Sequence, residues 1–482
     1  MRLPLSTNPV MRVFPTMLRK LMTKQSEPET FLGLTERKVL ILILIIAVIL
    51  RVIGANSELW FDEIATIVNF VRLPLGTLVH TYASANNHVL NSVLSHVSVE
   101  IFRSEQPWVV RLPAIVFGIA GVWAFHLVAR QLWRSQVVLI GTFMFAVSYH
   151  DVFYTQQARG YSAFLFFELV ATGLLLRMVL TPDRDLSVWY GLGYALPIGF
   201  GGYSLLLMTF VIMGHGSILL ITRRWTVLGW LLAGVLVALT LYAPMLSSLI
   251  QFHIQEASIM GVPFFSRAFF AEIRPILPTL IAGIIVLPLA ATRLWKRIPL
   301  AAAILVAPVV FNIVLPVVRG EGVHPRYLIY GLPLAYLLLT ELLDWARQYF
   351  RWIPALAAAA LTVVSLVALV RYYSLPKQGF RQALAYVADH RMPDDKTIGL
   401  SYGGKAERFY DPSIVLIENS DQLQEWVKSA RNNTWVLYSF ENEMRRSDPK
   451  LYNWVVSTTI NEKRFPSAIG DGSVYVRLWI PN

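Results

Sequence analysis

The sequence predicts a polytopic α-helical membrane protein, with about eleven transmembrane helices, that ends in a soluble α/β domain. Three observations predict it. Of 482 residues, 55% are hydrophobic and only 15% charged, unlike a water-soluble globule. Apolar segments of membrane-spanning length recur from residue 39 to about residue 372, and the composition then turns soluble. Basic residues also alternate in density from loop to loop, as they do when successive loops lie on opposite sides of a membrane.

The first span, from Val39 to Ile53, opens with Arg37-Lys38 and meets no charge before Arg51. It is too long and too far from the start for a cleavable signal peptide, so a basic tail, residues 1–37, precedes an uncleaved span. An outer loop, residues 56–107, holds two amphipathic stretches. Phe61, Ile64, Ala65, Val68 and Val71 share one helical face in the first, and Leu90, Leu94, Val97 and Ile101 in the second. Such helices lie in the interface plane. Spans follow at 108–130, 136–153, 161–179, 187–200, 203–221, 226–248, 276–294, 299–318, 327–343 and 353–372, making residues 38–372 the transmembrane unit. The pair around residue 200 is short and is expected to break at Gly199, Gly201 and Gly202, while Gly191-Leu192-Gly193 reads as helix packing.

In the soluble domain, residues 373–482, strands are expected at Lys396–Ser401, Ser413–Glu418, Thr434–Ser439 and Val474–Ile480. Helices are expected at Phe380–His390, Asp421–Arg431 and Asn442–Val455.

The net charge of +12 invites a nucleic-acid reading, but its placement argues for a membrane and no nucleic acid. One set of short loops carries Arg130, Arg134, Arg177, Arg184, Arg223, Arg224, Arg293, Lys296, Arg297, Arg347 and Arg351. The other set is longer and carries only Arg72, Arg103, Arg159, Arg267, Arg274, Arg319 and Arg326. The positive-inside rule puts the first set in the cytoplasm, together with the N-terminus and its Arg19, Lys20 and Lys24. An odd number of spans then leaves the C-terminal domain, and the Asp62-Glu63 pair after the first span, on the extracytoplasmic side of a cell membrane. The absence of cysteine excludes disulfides, thiolate catalysis and thiolate metal sites.

There is no phosphate-binding P-loop, no His-Glu-x-x-His, no Gly-x-Ser-x-Gly and no dinucleotide fingerprint. His88 and His96 share a helical face, but eight residues set them roughly 12 Å apart along the axis, too far to share a metal. The polar residues that remain crowd the outer ends of the spans. They are Asp62-Glu63, Asn86-Asn87-His88, the run from His150 to Tyr161 with Asp151, Tyr154, Gln157 and Arg159, and His324-Pro325-Arg326-Tyr327. Each alone has an ordinary explanation: acidic residues cap helices, and Arg and Tyr anchor span ends. Gathered on one side, they suggest a site for an anionic lipid head group.

Three stretches carry a resemblance: Trp60-Phe61-Asp62-Glu63 followed by Arg111-Leu112-Pro113, then Tyr154-x-x-Gln157-Ala158-Arg159-x-Tyr161, then Pro325-Arg326-Tyr327-Leu328. Over residues 38 to 480 the chain resembles glycosyltransferase family 39, of the GT-C superfamily. That family includes protein O-mannosyltransferases and aminoarabinose transferases acting on lipid A. The resemblance implies transfer of a sugar from a polyprenyl-phosphate carrier to a hydroxyl of a protein, lipid or glycan acceptor, with inversion. Asp62 would be the general base, with Glu63 orienting it or capping the helix. Asn87, His88, Tyr154, Gln157, Arg159, Tyr161, Arg326 and Tyr327 would bind donor phosphate and substrate. A phosphate leaves without a general acid, so one base suffices. Relatives often have a basic residue and two prolines where this chain has His88-Val89-Leu90, and carboxylates at the positions of Asn87 and Gln157. Those changes remove candidate ligands, so no tightly held divalent metal and no other cofactor is expected. The competing readings are a polysaccharide polymerase or ligase and a flippase for lipid-linked sugars. A flippase would place ionisable residues inside its spans or use paired broken helices.

Overall fold

The structure, a computed structural model, describes residues 30–31, 33–84, 86–180, 187–255, 277–319, 325–467 and 471–481. Where described, every predicted apolar segment is helical. The helices are α1 (Glu36–Val52), the interfacial α2 (Phe61–Thr66) and α3 (Val89–Phe102), then α4 (Pro107–Ala129), α5 (Ser135–Ala146), α6 (Tyr149–Thr155) and α7 (Tyr161–Leu180). They continue as α8 (Val188–Ser204), α9 (Met208–Ile221), α10 (Trp225–Tyr242), α11 (Leu277–Arg297), α12 (Pro299–Arg319), α13 (Gly331–Ala346) and α14 (Ile353–Ser374).

Five helices among the described residues are long and apolar enough to cross a bilayer, or six if α5 and α6, bent by 56°, form one broken span. That is fewer than the eleven expected: α1, α8, α9 and α13 are only 17, 17, 14 and 16 residues long, and α11, with 21, is not among the candidates. The architecture is nonetheless multi-pass. Helices α1, α10 and α14 expose rows such as Ile41, Ile45 and Ile49, Leu232, Leu236 and Leu239, and Val363, Val367 and Val370. Apolar rows of that length are stable only against lipid.

The expected break at the glycines does not occur. Helix α8 runs through Gly199, Gly201 and Gly202 and ends at Ser204, where Leu205 turns extended. The glycines let α8 lie directly on α10. A Cβ on Gly191 would fall 2.0 Å from the Trp230 ring, and one on Gly199 would fall 2.4 Å from Val237. Close backbone approach through small residues is how helices associate in lipid.

The basic residues of the short loops meet at one end of the bundle. Arg130 donates to Glu36 (2.6 Å), Arg224 to the Val179 carbonyl (3.0 Å), and Arg347 to Gln136 (2.7 Å). Arg297 donates to the Leu132 carbonyl (3.0 Å) and to Glu341 (2.6 Å). Residues 1–29, with Arg19, Lys20 and Lys24, lie outside the described residues, as do Arg184, Arg267, Arg274 and His324.

At the other end sits the C-terminal sheet unit. It comprises α15 (Phe380–His390), β1 (Lys396–Leu400), α16 (Ser401–Tyr410), β2 (Val415–Ile417), α17 (Ser420–Ser429), β3 (Thr434–Tyr438), α18 (Glu441–Ser447), α19 (Pro449–Thr458), β4 (Ile460–Phe465) and β5 (Val474–Trp479). The strand order is β2-β1-β3-β5-β4, with β2, β1 and β3 parallel and β5 and β4 antiparallel. Three features depart from expectation. Strand β4 is an exposed edge and shows no in-out alternation. Helix α16 carries Gly403-Gly404 in its first turn, which lowers helix propensity but lets it lie on the sheet; a Cβ on Gly404 would fall 2.4 Å from the Gly399 backbone. The single helix expected at Asn442–Val455 is split at Asp448, whose carboxylate caps α19 through Leu451 N–H (3.0 Å).

One face of the sheet packs on Leu423, Met444, Leu451 and Val455. The other, with Trp435, Leu437, Val474 and Val476, shares a core with Leu59, Ile64, Ile67, Val110 and Ala158 of the helical part. That shared core fixes the sheet unit over the start of α2.

Candidate active site

Helix α2 starts where its sequence says it should, but its two carboxylates part ways. Glu63, the third residue of the helix, is fully buried. It takes a two-pronged ion pair from Arg111, Nε to Oε1 at 2.8 Å and Nη2 to Oε2 at 2.6 Å. Its oxygens also accept the Ala158 N–H (2.8 Å) and the Trp60 N–H (3.3 Å). Burial would raise its pKa, but the Arg111 and Lys377 charges and these hydrogen bonds outweigh that and hold it at about 2. Arg111 extends the clamp to the carbonyls of Ala55 (3.0 Å), Ser57 (2.7 Å) and Glu58 (3.1 Å). The acidic pair, the Arg-Leu-Pro opening of α4 and the Gln-Ala-Arg turn are therefore one knot, with Glu63 at its centre.

Lys377, just beyond α14, closes the knot. It donates to the Gln156 carbonyl (3.2 Å) and lies 3.9 Å from Glu63. Burial and the nearby Arg111 charge lower its pKa to about 7. Gln156 in turn sends its amide to the carbonyls of Leu50 (3.0 Å), Arg51 (2.9 Å) and Ile53 (2.5 Å), closing the last turn of α1.

Asp62 points the other way, into a cavity of about 1410 Å³. The wall is built from α2, the Ser84–His88 loop, Arg159 and Tyr161, the break after α8, the end of α12 with Asn312 and Arg319, Tyr327, and the α16 face that carries Tyr402, Lys405 and Arg408. Most of the wall comes from the helical part, and the sheet unit closes the rest. The Asp62 side chain, 17% exposed, pairs with Arg159 at 2.8 Å. Arg159 also donates to Asn86 Oδ1, and its guanidinium lies 6.0 Å from the Trp60 ring and 5.5 Å from the Tyr161 ring. Asn86 holds the loop to α2 through the Asp62 carbonyl (2.9 Å) and Thr66 Oγ1 (3.1 Å).

His88 Nδ1 accepts the Gly160 N–H at 2.8 Å, so in the neutral ring Nε2 carries the proton. That nitrogen lies 3.2 Å from Arg159 Nη2. Two donors face each other there, and an anionic oxygen satisfies both. Arg159 Nε and Trp60 Nε1 add two more buried donors that have no acceptor among the described residues. The site's chemistry is thus a carboxylate beside the Arg159 and His88 nitrogens at the wall of a large cavity.

The other predicted residues divide. Tyr161 lines the cavity and meets the His88 ring edge-on (5.1 Å). Tyr327 lines it too, while the Arg326 side chain lies outside the described residues. Asn87 reaches the wall, but its amide is used by the Thr81 carbonyl (3.0 Å) and Ser92 (2.9 Å) to shape the loop. Gln157 is buried and donates to the Phe153 carbonyl (3.3 Å). Tyr154 backs Tyr161 edge-on (5.1 Å) from behind the wall. Glu63, expected beside Asp62 as a catalytic group, does not reach the cavity at all; one helical position separates a wall residue from a core residue. Among the described residues, no three His, Cys, Asp or Glu side chains are grouped to hold a metal.

Residues 90–247 match the family model described as dolichyl-phosphate-mannose-protein mannosyltransferase. The structure is similar to ArnT from Cupriavidus metallidurans bound to undecaprenyl phosphate, at 15% identity and TM-score 0.60, covering 91% of this chain and 97% of that one. The chain shares the fold of that ArnT structure. The apo state of the same ArnT matches at 14% identity and TM-score 0.59, with the same coverage. The oligosaccharyltransferase AglB from Archaeoglobus fulgidus, in complex with an inhibitory peptide and a dolichol-phosphate, matches at 12% identity and TM-score 0.52, over 85% of this chain and 70% of that one. No curated protein sequence matches the chain.

Proposed function

We propose that this chain is an integral-membrane glycosyltransferase. It moves a sugar from a polyprenyl phosphate to an acceptor hydroxyl at the extracytoplasmic face, with inversion. The observation that carries the reading is the Asp62–Arg159 pair, set beside His88 at the wall of a large cavity. The ArnT and AglB structures of this fold include forms holding undecaprenyl phosphate and dolichol-phosphate, which supports a lipid phosphate as the anion.

In this reading the acceptor oxygen attacks the anomeric carbon while the bond from that carbon to the phosphate oxygen breaks. The hydroxyl proton passes to Asp62, and the departing phosphate keeps the electron pair under the donors of Arg159 and His88. Arg159 has two roles to reconcile. A donor phosphate competes with Asp62 for its guanidinium, so donor binding loosens the ion pair and frees the carboxylate for the acceptor hydroxyl. Asn87, Tyr154 and Gln157 act here by shaping the wall, Tyr161 and Tyr327 by lining it, and Arg326 as a second phosphate ligand.

The test is incubation of the purified protein, in lipid vesicles, with undecaprenyl-phosphate hexoses, pentoses and aminopentoses, together with the lipid and protein fractions of the source cell. Transfer releases undecaprenyl phosphate and adds one sugar mass to an acceptor. Movement of an intact lipid-linked sugar between leaflets without bond cleavage contradicts the reading and favours a flippase.

A further inference from the structure

The sheet unit holds the residues just before Asp62 and Glu63 through several polar and ring contacts. Tyr410 Oη accepts the Leu59 N–H (3.0 Å) and donates to the Leu59 carbonyl (3.1 Å), so one hydroxyl fixes both polar groups of one residue. Gln378 Oε1 accepts the Phe61 N–H (2.7 Å), a helix-start donor that has no partner within α2. Glu58 accepts the Arg381 N–H (2.5 Å). The Phe61 ring is held edge-on by Tyr402 (6.0 Å) and Phe440 (5.2 Å). Phe440 itself, and Ser401 beside Tyr402, adopt left-handed backbone (φ 58° and 53°). That conformation is disfavoured for such residues and persists where surrounding contacts over-determine it.

We infer that the sheet unit is a positioning element of the active site, with Tyr410 and Gln378 as the positioning residues that set where the Asp62 carboxylate stands. Their hydrogen bonds fall one and three residues before Asp62, at and just before the start of α2, where the first N–H groups have no partner within the helix. The carboxylate is thereby aimed from outside the membrane, while Arg159 meets it from the helical part. The inference rests on the reading of Asp62 as the base.

The test uses the full-length protein in vesicles carrying undecaprenyl-phosphate sugars, with release of undecaprenyl phosphate as the readout. Tyr410→Phe keeps the ring and removes both bonds to Leu59. We expect kcat to fall about 10-fold or more, the scale of a sub-ångström to 1 Å misplacement, with donor KM unchanged within about 2-fold. In the Asp62→Asn background the same change should have no further effect, because a residue that acts through Asp62 has nothing left to aim. Gln378→Leu gives an independent second measurement should Tyr410→Phe fold poorly. Parental kcat in both variants overturns the inference. So does an equal loss in the presence and absence of Asp62, which marks a general structural role. If Asp62→Asn itself turns over at the parental rate, the base reading falls and this inference with it; a dead Asp62→Asn beside an unaffected Tyr410→Phe overturns the positioning role alone.

Discussion

Asp62 and Glu63 are neighbours in sequence and opposites in environment. Asp62 is partly open to the cavity, whereas Glu63 is sealed under Arg111. Removing one partner of a buried ion pair leaves the other charge uncompensated, typically at about 3–5 kcal/mol. Glu63→Gln is therefore expected to lower stability by that order and to reduce activity only through folding, measured as thermal unfolding in detergent at neutral pH. The sign with pH follows from a carboxyl held at about 2 against an ordinary 4.5. Its contribution is complete above about pH 4.5 and is lost as pH falls toward about 2, so the gap between parent and Glu63→Gln should narrow across that window. A gap that stays constant would contradict the ion-pair account. Arg159→Lys keeps the charge but not the forked geometry that serves Asn86, Asp62 and a phosphate together, so undecaprenyl phosphate binding should weaken about 10-fold, and at least as much in Arg159→Ala. Equal binding in parent and both variants would remove the phosphate from this site. The sequence made Asp62, Arg159 and His88 visible as polar residues at span ends. The orienting or capping part of Glu63 was legible, but its burial was not, because its partners Arg111 and Lys377 come from the starts and ends of distant helices.

Helices and strands were legible wherever a period or a composition marked them, as at Phe380–His390 and in the three parallel strands. They were missed where packing overrode propensity. Helix α16 is built around Gly403-Gly404, which a propensity reading treats as a turn, and strand β4 is an exposed edge without alternation. The glycines of α8, whose composition predicts a break, form a contact surface against α10. Gly191→Ala tests that surface: its Cβ would fall 2.0 Å from the rigid Trp230 ring, so the two helices must separate. Overpacking of this kind should cost about 1–3 kcal/mol in thermal stability, and a neutral result would mean that α8 and α10 are not in close contact.

For the whole molecule, the account requires one end of the bundle, where Arg130, Arg224, Arg297 and Arg347 gather, to face the cytoplasm, and the sheet unit to face outward. Because the chain has no cysteine, single cysteines at the exposed Thr222 and Ser457 can be probed with an impermeant thiol reagent in intact cells. Ser457→Cys should label, and Thr222→Cys should label only after the membrane is opened; the reverse pattern would invert the topology. Within that orientation, one cavity brings together a carboxylate, the Arg159 and His88 nitrogens, the helical part on one side and the sheet unit on the other, and the central claim is that the carboxylate does the chemistry. The direct measurement compares parent and Asp62→Asn for release of undecaprenyl phosphate from the same undecaprenyl-phosphate sugar, with undecaprenyl phosphate affinity and unfolding temperature recorded alongside. Asn keeps the size of Asp and serves equally well at a helix start, so fold and lipid binding should persist. The account predicts a rate loss of about 10² to 10⁴; turnover close to the parental rate would contradict it.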